Sequence, residues 1–119
     1  MDAGAPVRLL VALNDAIADG RDVSWIWDVD FEPLVGPLQE LVVSGSRAQE
    51  LALRFKYGGL DPAKIALLPN LAEALAYGVE GTLPGGELVV LPTYTAMLAL
   101  RQIASEQGLV RPYWEEAVA

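Results

Sequence analysis

Six carboxylates lie within eighteen residues of this chain, inside a stretch from Leu13 to Leu34 that also holds two tryptophans and one arginine. The six are Asp15, Asp19, Asp22, Asp28, Asp30 and Glu32. Grouped carboxylates suit a hard cation such as Mg²⁺ and phosphoryl transfer, and a single carboxylate can orient a catalytic histidine. The chain has neither histidine nor cysteine, so the second chemistry would require a histidine from another protein.

A structural interpretation of the same residues stays open. Asp22 or Ser24 could cap a short helix, and Asp15 and Asp19 could form Asx turns. Gly20 permits a sharp turn between them. On this interpretation the acidic side chains shape a loop and carry no chemistry.

The segment "DVDFE", residues 28–32, superficially resembles the Asp-x-Asp motif of haloacid dehalogenase-like phosphatases. The match is poor, because Glu32 stands where Thr or Val is usual, no clean strand precedes it and no later acidic pair follows. A phosphorelay receiver is also unsupported, since the expected Asp after the third strand and Lys after the last strand are missing. Apolar residues recur at every second position, Trp25, Trp27, Val29 and Phe31, and after Trp27 they alternate with polar residues. A half-buried edge strand therefore competes with the short helix.

Four short runs rich in Val and Leu predict buried strands. They are Val7–Asn14, Glu40–Val43, Ile65–Leu68 and Glu87–Leu91. Stretches with helical spacing separate these runs, a pattern typical of parallel strands joined by right-handed crossover helices. The predicted fold class is therefore α/β, a Rossmann-like open three-layer sandwich of about four mainly parallel strands with flanking helices.

The first predicted helix, "SRAQELALRFKYGG", starts with Ser46 as its cap and ends at Gly58 or Gly59. Its predicted apolar side comprises Ala48, Leu51, Ala52, Leu53 and Phe55. The second, "NLAEALAYGVEG", has Asn70 as its N-cap, and its apolar side comprises Leu71, Ala74 and Leu75. The third, "TYTAMLALRQIASEQG", ends at Gly108, and its apolar side comprises Met97, Leu98, Leu100 and Ile103. A turn is predicted at 84–86, and the tail from residue 111 is predicted to be the least ordered part.

Ligands of open α/β sheets bind beyond the carboxyl ends of the strands. The loops after the first, second and fourth strands should therefore lie on the same edge of the sheet. Two of them could hold an anion through backbone N–H groups at a helix start; their residues are Ser44, Gly45, Ser46 and Arg47, and Thr93, Tyr94 and Thr95. An ordinary turn and helix cap is the favoured interpretation of both loops.

Composition limits the partners. The length of 119 residues predicts one domain, residues 1–119, and the net charge of −8 disfavours nucleic acid and anionic lipid. No apolar run is long enough to span a membrane, and the N-terminus lacks the pattern of a signal peptide. A protein or small-molecule partner is therefore expected.

Three segments carry a family resemblance: "NDAIADGRDVSWIWDVDFE", "VVSGSRAQELALRFKYGGL" and "LPTYTAMLALRQ". They lie between Val7 and Gln102 and closely resemble the C-terminal domain of the MurT family, the Mur-ligase-like subunits of bacterial MurT–GatD amidotransferases. Those complexes, lipid II isoglutaminyl synthases, amidate the α-carboxylate of D-glutamate in the lipid II stem peptide with ATP and ammonia from glutamine. The resemblance implies a fold like that of Mur ligase C-terminal domains and a role in cytoplasmic peptidoglycan synthesis.

The resemblance also implies roles for residues of the acidic loop. Asp22 occupies the position that completes the Cys-His-Asp triad of the GatD glutaminase, and it is the predicted catalytic residue. Arg21, Trp25 and Asp19 are the predicted partner-interface residues. Asp15 and Gly20 are predicted to shape the loop. Ala16 stands where Asn is familiar in the family.

The expected partners are a GatD-like glutaminase, the Mur-ligase central domain of the same parent chain and, for the whole complex, lipid II. The family's Gly-Lys-Thr ATP loop and four-cysteine zinc site are absent from this sequence. We therefore expect no metal or cofactor here, ATP and Mg²⁺ in the parent's central domain, and a domain excised from a longer chain without independent activity. The alternatives are a stand-alone small-molecule or Mg²⁺-dependent phosphoryl-transfer module, and a purely structural docking domain.

Overall fold

A computed structural model describes residues 7–16, 19–20, 22–29, 32–35, 38–82 and 86–106. Its strands are β1 (Val7–Ala12), β2 (Leu38–Ser44), β3 (Ile65–Leu67) and β4 (Glu87–Pro92). Its helices are the single turn α1 (Glu32–Val35), α2 (Ala48–Tyr57), α3 (Leu71–Gly81) and α4 (Tyr94–Glu106), with short 3₁₀ helices at Ser24–Trp27 and Pro62–Lys64. The α/β prediction is confirmed.

All pairings in the four-stranded sheet are parallel, and the strand order is β3-β2-β1-β4. β1 is a central strand, so its side chains are covered on both faces, as its nearly continuous apolar sequence predicts. It ends at Ala12, two residues before the predicted end. The N–H of Asn14 donates to the Thr93 hydroxyl at 3.0 Å, so it takes no part in the backbone hydrogen bonds of the sheet.

Side chains alternate between the two faces of the sheet and form two cores. One face carries Leu9, Val11, Leu41 and Val43, which pack against α2 and the 3₁₀ helix Ser24–Trp27. The other carries Leu10, Ala12, Val42 and their neighbours, which pack against α3 and α4. This is the predicted three-layer arrangement.

In α2, Ala48, Leu51 and Phe55 are buried as predicted, whereas Leu53 is 44% exposed. The prediction for Leu53 was wrong because two residues correspond to roughly 200° around a helix, which turns Leu53 away from Leu51 and Phe55. The prediction for Leu98 in α4 was wrong for the same reason: Leu98 is 49% exposed and lies two residues from the buried Leu100.

The predicted cap of α2 is also wrong. The N-cap residue is Arg47, and no side chain makes a capping hydrogen bond there. The Ser46 hydroxyl instead donates to Asp15 Oδ1 at 2.9 Å. At the other end Gly59 has φ +105°, the left-handed conformation predicted for Gly58 or Gly59.

The cap of α3 agrees with its prediction, because Asn70 Oδ1 accepts a hydrogen bond from the N–H of Glu73 at 3.0 Å. Asn70→Ala is expected to lower the free energy of unfolding by about 1 kcal/mol, since one N–H of the first turn loses its partner. Thermal unfolding measures this loss. Asn70→Ser, which keeps a capping oxygen, should retain most of the stability; equal losses in both variants would contradict the capping role.

Several predictions fall outside the described residues: the stop at Gly108, most of the turn at 84–86 and the tail from residue 111. Within the described part of the chain, no helix is long and apolar enough to cross a membrane.

Candidate functional site

The loops that follow β1, β2 and β4 meet at one edge of the sheet, as predicted from the strand-end rule. Asn14 joins all three through hydrogen bonds. Its Oδ1 accepts from the N–H of Ser46 at 3.0 Å, its Nδ2 donates to Thr95 Oγ1 at 3.1 Å, and its N–H donates to Thr93 Oγ1. One amide side chain therefore fixes the relative positions of the three loops.

Asp15 links the first loop to the second. Its carboxylate accepts hydrogen bonds from Ser46 Oγ at 2.9 Å and Arg47 Nη1 at 3.2 Å. These two bonds, that from Ser46 foremost, lower the pKa of Asp15 below its usual value. Asp15 therefore shapes its loop by contacting the loop after β2. The Asx turn predicted for Asp15 would involve residue 17, which lies outside the described residues.

Asp19 links the first loop to the start of α4. Oδ1 accepts from the N–H of Thr95 at 2.6 Å, and Oδ2 accepts from the Thr95 hydroxyl. Burial opposes ionisation of Asp19, but the hydrogen bonds to its carboxylate, those from Thr95 foremost, together outweigh it, so the pKa is lowered. Asp19 thus caps α4 from a distant loop, and Gly20 beside it has φ +85°, consistent with the predicted sharp turn.

The lowered pKa of Asp19 predicts a pH dependence of stability. A carboxylate whose pKa is lower in the folded than in the unfolded protein stabilises above the unfolded pKa of about 4, and this contribution is lost as the pH falls through the folded pKa. Asp19→Asn should therefore be less stable at pH 7 and should lose less stability on acidification to pH values near 3. Thermal unfolding at both pH values tests this; parallel pH curves for the two proteins would contradict it.

Asp22, the predicted catalytic residue, is exposed. Its Oδ1 accepts a hydrogen bond from the N–H of Ser24 at 2.9 Å, which holds the carboxylate beside the first turn of the 3₁₀ helix Ser24–Trp27. The N–H and hydroxyl of Ser24, and to a smaller extent the charge of Arg47, lower the pKa of Asp22. The N-cap residue of that helix is Val23, so the bond forms an Asx turn ahead of the helix. At neutral pH Asp22 is an oriented anion at the surface.

The 3₁₀ helix settles the choice between a short helix and an edge strand in favour of the helix for residues 24–27. Its buried residue is Ile26, whereas Trp25 is 44% exposed and is not a core residue. Trp25 and Val29 border a cleft of about 180 Å³ that is also lined by residues at the ends of β1 and β4. Trp27 is 46% exposed and packs against Tyr57, with ring centroids 5.8 Å apart.

The two predicted anion loops are occupied by contacts within the protein. The N–H groups of Gly45, Arg47 and Ala48 donate to backbone carbonyls, and that of Ser46 donates to Asn14. Arg47 pairs with Asp15 and with Glu50. An anion would have to displace these partners, so the role of this loop in anion binding stays a prediction that the geometry does not favour.

The hydroxyl groups of the other predicted anion loop are also engaged. Thr93 accepts from Asn14, and Thr95 donates to Asp19. Tyr94 between them is 55% exposed. Across the described residues, no group of three or more acidic side chains is placed to hold a metal ion.

Comparison with known proteins identifies the family. The model of the MurT ligase C-terminal family matches residues 1–97. The chain belongs to this family. It is 37% identical over 107 residues to the MurT subunit of the glutamine-hydrolysing lipid II isoglutaminyl synthase of Streptococcus pneumoniae, a match that covers 89% of this chain and 24% of that relative. The MurT subunits of Staphylococcus aureus strains COL and N315 are 37% identical over 89 residues, covering 74% of this chain and 20% of theirs.

The chain therefore spans about a quarter of the length of the MurT subunits that it matches. The resemblance to MurT C-terminal domains is confirmed, and the parallel sheet agrees with the fold expected of the family. Arg21, a predicted interface residue, lies outside the described residues.

Sequence reasoning missed Arg54, which is only 6% exposed and binds the segment that follows Asp22. A signal was present in the sequence. Arg54 lies three residues after Leu51 and directly before Phe55, at the margin of the buried stripe of α2. A charged side chain at such a position requires buried partners, but the pattern of α2 does not say which residues provide them.

Proposed function

We propose that this chain is the C-terminal part of the ligase subunit of a glutamine-dependent amidotransferase that acts on lipid II. The proposed reaction converts the α-carboxylate of D-glutamate in the stem peptide to an amide, with ammonia released from glutamine by a GatD-like glutaminase subunit. ATP and Mg²⁺ would be used by the central domain of the parent chain, in the cytoplasm. Membership of the MurT family and the names of the relatives support this proposal.

The proposed contribution of this domain is the third residue of the glutaminase triad. The observation that carries it is the exposed, ionised and oriented carboxylate of Asp22. A carboxylate offers about four acceptor positions. The contacts from Ser24 use part of this capacity and leave room for the ring N–H of a histidine on the partner.

In this role Asp22 would fix the tautomer and orientation of the partner's histidine and stabilise the imidazolium that forms when the cysteine loses its proton. The glutaminase would then reach full activity only when docked to the ligase subunit. Ammonia production would be coupled to the presence of the enzyme that consumes it. The missing histidine and cysteine of this chain agree with such a division of labour.

The surroundings of Asp22 suit a docking surface. Trp25 is exposed beside an apolar cleft, and buried tryptophans are common anchors of protein interfaces. Asp19 is engaged with Thr95 through both oxygens, which makes it a support of the interface loop as well as a predicted contact. Arg21 stays a predicted contact.

The proposal is tested with the full-length ligase subunit and its glutaminase, purified separately and mixed with the ligase subunit in saturating excess. Ammonia release from glutamine is measured with the wild type and with Asp22→Asn. Hydrolysis that depends on the ligase subunit and on the Asp22 charge supports the proposal. Hydrolysis that needs the ligase subunit but not the charge would leave only a structural docking role.

A further inference from the structure

Arg54 is a buried cation on α2. It lies on α2 with 6% of its surface exposed, on the same face of the sheet as the 3₁₀ helix Ser24–Trp27. Its guanidinium binds two backbone carbonyls: Nε donates to Ile26 O at 2.9 Å, and Nη2 donates to Val29 O at 2.6 Å. Arg54 thereby ties the end of the 3₁₀ helix to α2.

A carboxylate completes the arrangement. Glu32 Oε1 accepts from Arg54 Nη1 at 2.9 Å, and Oε2 accepts from Nη2 at 3.3 Å. The ring of Trp27 lies over the same guanidinium, with its centroid 5.9 Å from Cζ. One side chain therefore binds Ile26, Val29 and Glu32, using the planar fork of donors that only arginine provides.

Asp22 lies four residues before Ile26, ahead of the same 3₁₀ helix. Asp22 Oδ1 is bonded to the N–H of Ser24, and the N–H of Ile26 donates to Val23 O at 3.1 Å. Val23 and Ile26 are buried in the core. A short chain of hydrogen bonds and buried side chains thus joins the Arg54 guanidinium to the Asp22 carboxylate.

We propose that Arg54 is a positioning residue for glutamine hydrolysis: by holding the carbonyls of Ile26 and Val29, it sets the place from which Asp22 meets the partner's histidine. The inference rests on the proposed role of Asp22. An anchor such as Arg54 is needed because a triad requires its carboxylate in one position. An exposed loop without an anchor would present the carboxylate in many positions.

The test uses the full-length ligase subunit with its glutaminase, and Arg54→Lys as the variant. Lysine keeps the charge but cannot bridge two carbonyls and a carboxylate as the fork does. With the ligase subunit in saturating excess, kcat should fall on the order of 10- to 100-fold, because a displacement near 1 Å is enough for such a loss. The KM for glutamine, which binds to the partner, should stay within about twofold of wild type. Arg101→Lys, the same change at an exposed position of α4 on the other face of the sheet, is the matched control and should leave kcat unchanged.

A double-mutant cycle separates positioning from general stability. If Arg54 acts through Asp22, Arg54→Lys should have no further effect on kcat in the Asp22→Asn background. Reductions that multiply, or a kcat for Arg54→Lys within twofold of wild type while Asp22→Asn is inactive, would overturn the inference and leave the role of Asp22 intact. An active Asp22→Asn would instead overturn the proposed function, and the inference with it.

Gly58→Ala provides a second variant if Arg54→Lys does not fold. Gly58 has ordinary helical angles, and an added Cβ would lie 3.2 Å from Arg54 Nη1 and 3.2 Å from Glu32 Oε1, so this ion pair must shift. We expect a smaller reduction of kcat than with Arg54→Lys, again absent in the Asp22→Asn background. An unchanged kcat in the folded Gly58→Ala protein would count against the inference.

Discussion

Asp22→Asn is expected to reduce kcat for glutamine hydrolysis by the assembled complex by about four orders of magnitude, the loss known for the orienting aspartate of a serine protease. The substitution is informative because it should leave the loop in place. Asparagine keeps an Oδ1 that can accept the hydrogen bond from Ser24, so the Asx turn can persist. What it removes is the negative charge that, in the proposed triad, would stabilise the imidazolium and select the histidine tautomer.

Asp28→Asn is the matched control. Asp28 is also exposed and directly follows the same 3₁₀ helix, so its replacement removes one charge from the same loop without touching the Asx turn. Its kcat should stay near that of the wild type. The dissociation constant of the two subunits should be measured for all three proteins, because a loss of kcat that more ligase subunit restores would reflect weak docking and would refute the triad role.

The second large effect is expected from Gly45→Ala. Gly45 has φ +94°, and a Cβ there would lie 2.4 Å from the carbonyl oxygen of Leu13 and 2.7 Å from Asn14 Oδ1. The conformation alone costs an alanine roughly 1–2 kcal/mol, and overpacking against backbone adds about 1–3 kcal/mol. We expect the free energy of unfolding to fall by about 2–5 kcal/mol, as measured by chemical or thermal unfolding.

Gly59→Ala is the control for the cost of the left-handed backbone conformation. Gly59 has φ +105°, but nothing lies within 4 Å of an added Cβ. Its free energy of unfolding should therefore fall by roughly 1–2 kcal/mol, through conformational strain only. If Gly45→Ala lowered the free energy of unfolding no more than Gly59→Ala does, Gly45 would not lie close to the loop after β1. The arrangement of Asn14 at the centre of the site would then also be wrong.

The strands were predictable because each is a short apolar run in a sheet covered on both faces. Helix positions were predictable, but two leucines, Leu53 and Leu98, were assigned to the wrong side. In both cases an apolar residue was predicted to be buried because of its type alone, and its angle around the helix was not taken into account. Ala96 of α4 is buried but was left out of the predicted apolar side, because its angle around the helix was not considered either.

The meeting of the loops was predictable from strand order and direction, but the partners of the carboxylates were not. Asp15 bonds to a residue 31 positions away and Asp19 to one 76 positions away. Such pairings depend on the final distance between loops, which local patterns do not contain. The catalytic role of Asp22 came from family resemblance; its geometry is compatible with that role, which stays a prediction.

The position of β1 in the sheet has a consequence for synthesis of the chain. β1 pairs with β2, which follows closely, but Val7 pairs with Glu87, and that partner leaves the ribosome only after most of the domain. Closing so long a loop slows folding, and until then one edge of β1 is unpaired. The bonds from Asn14 to Thr93 and from Asp19 to Thr95 can form only at that late stage. We therefore expect a nascent chain to be unable to dock the proposed glutaminase partner before the fourth strand is in place, so that the proposed subunit assembly would follow completion of the domain.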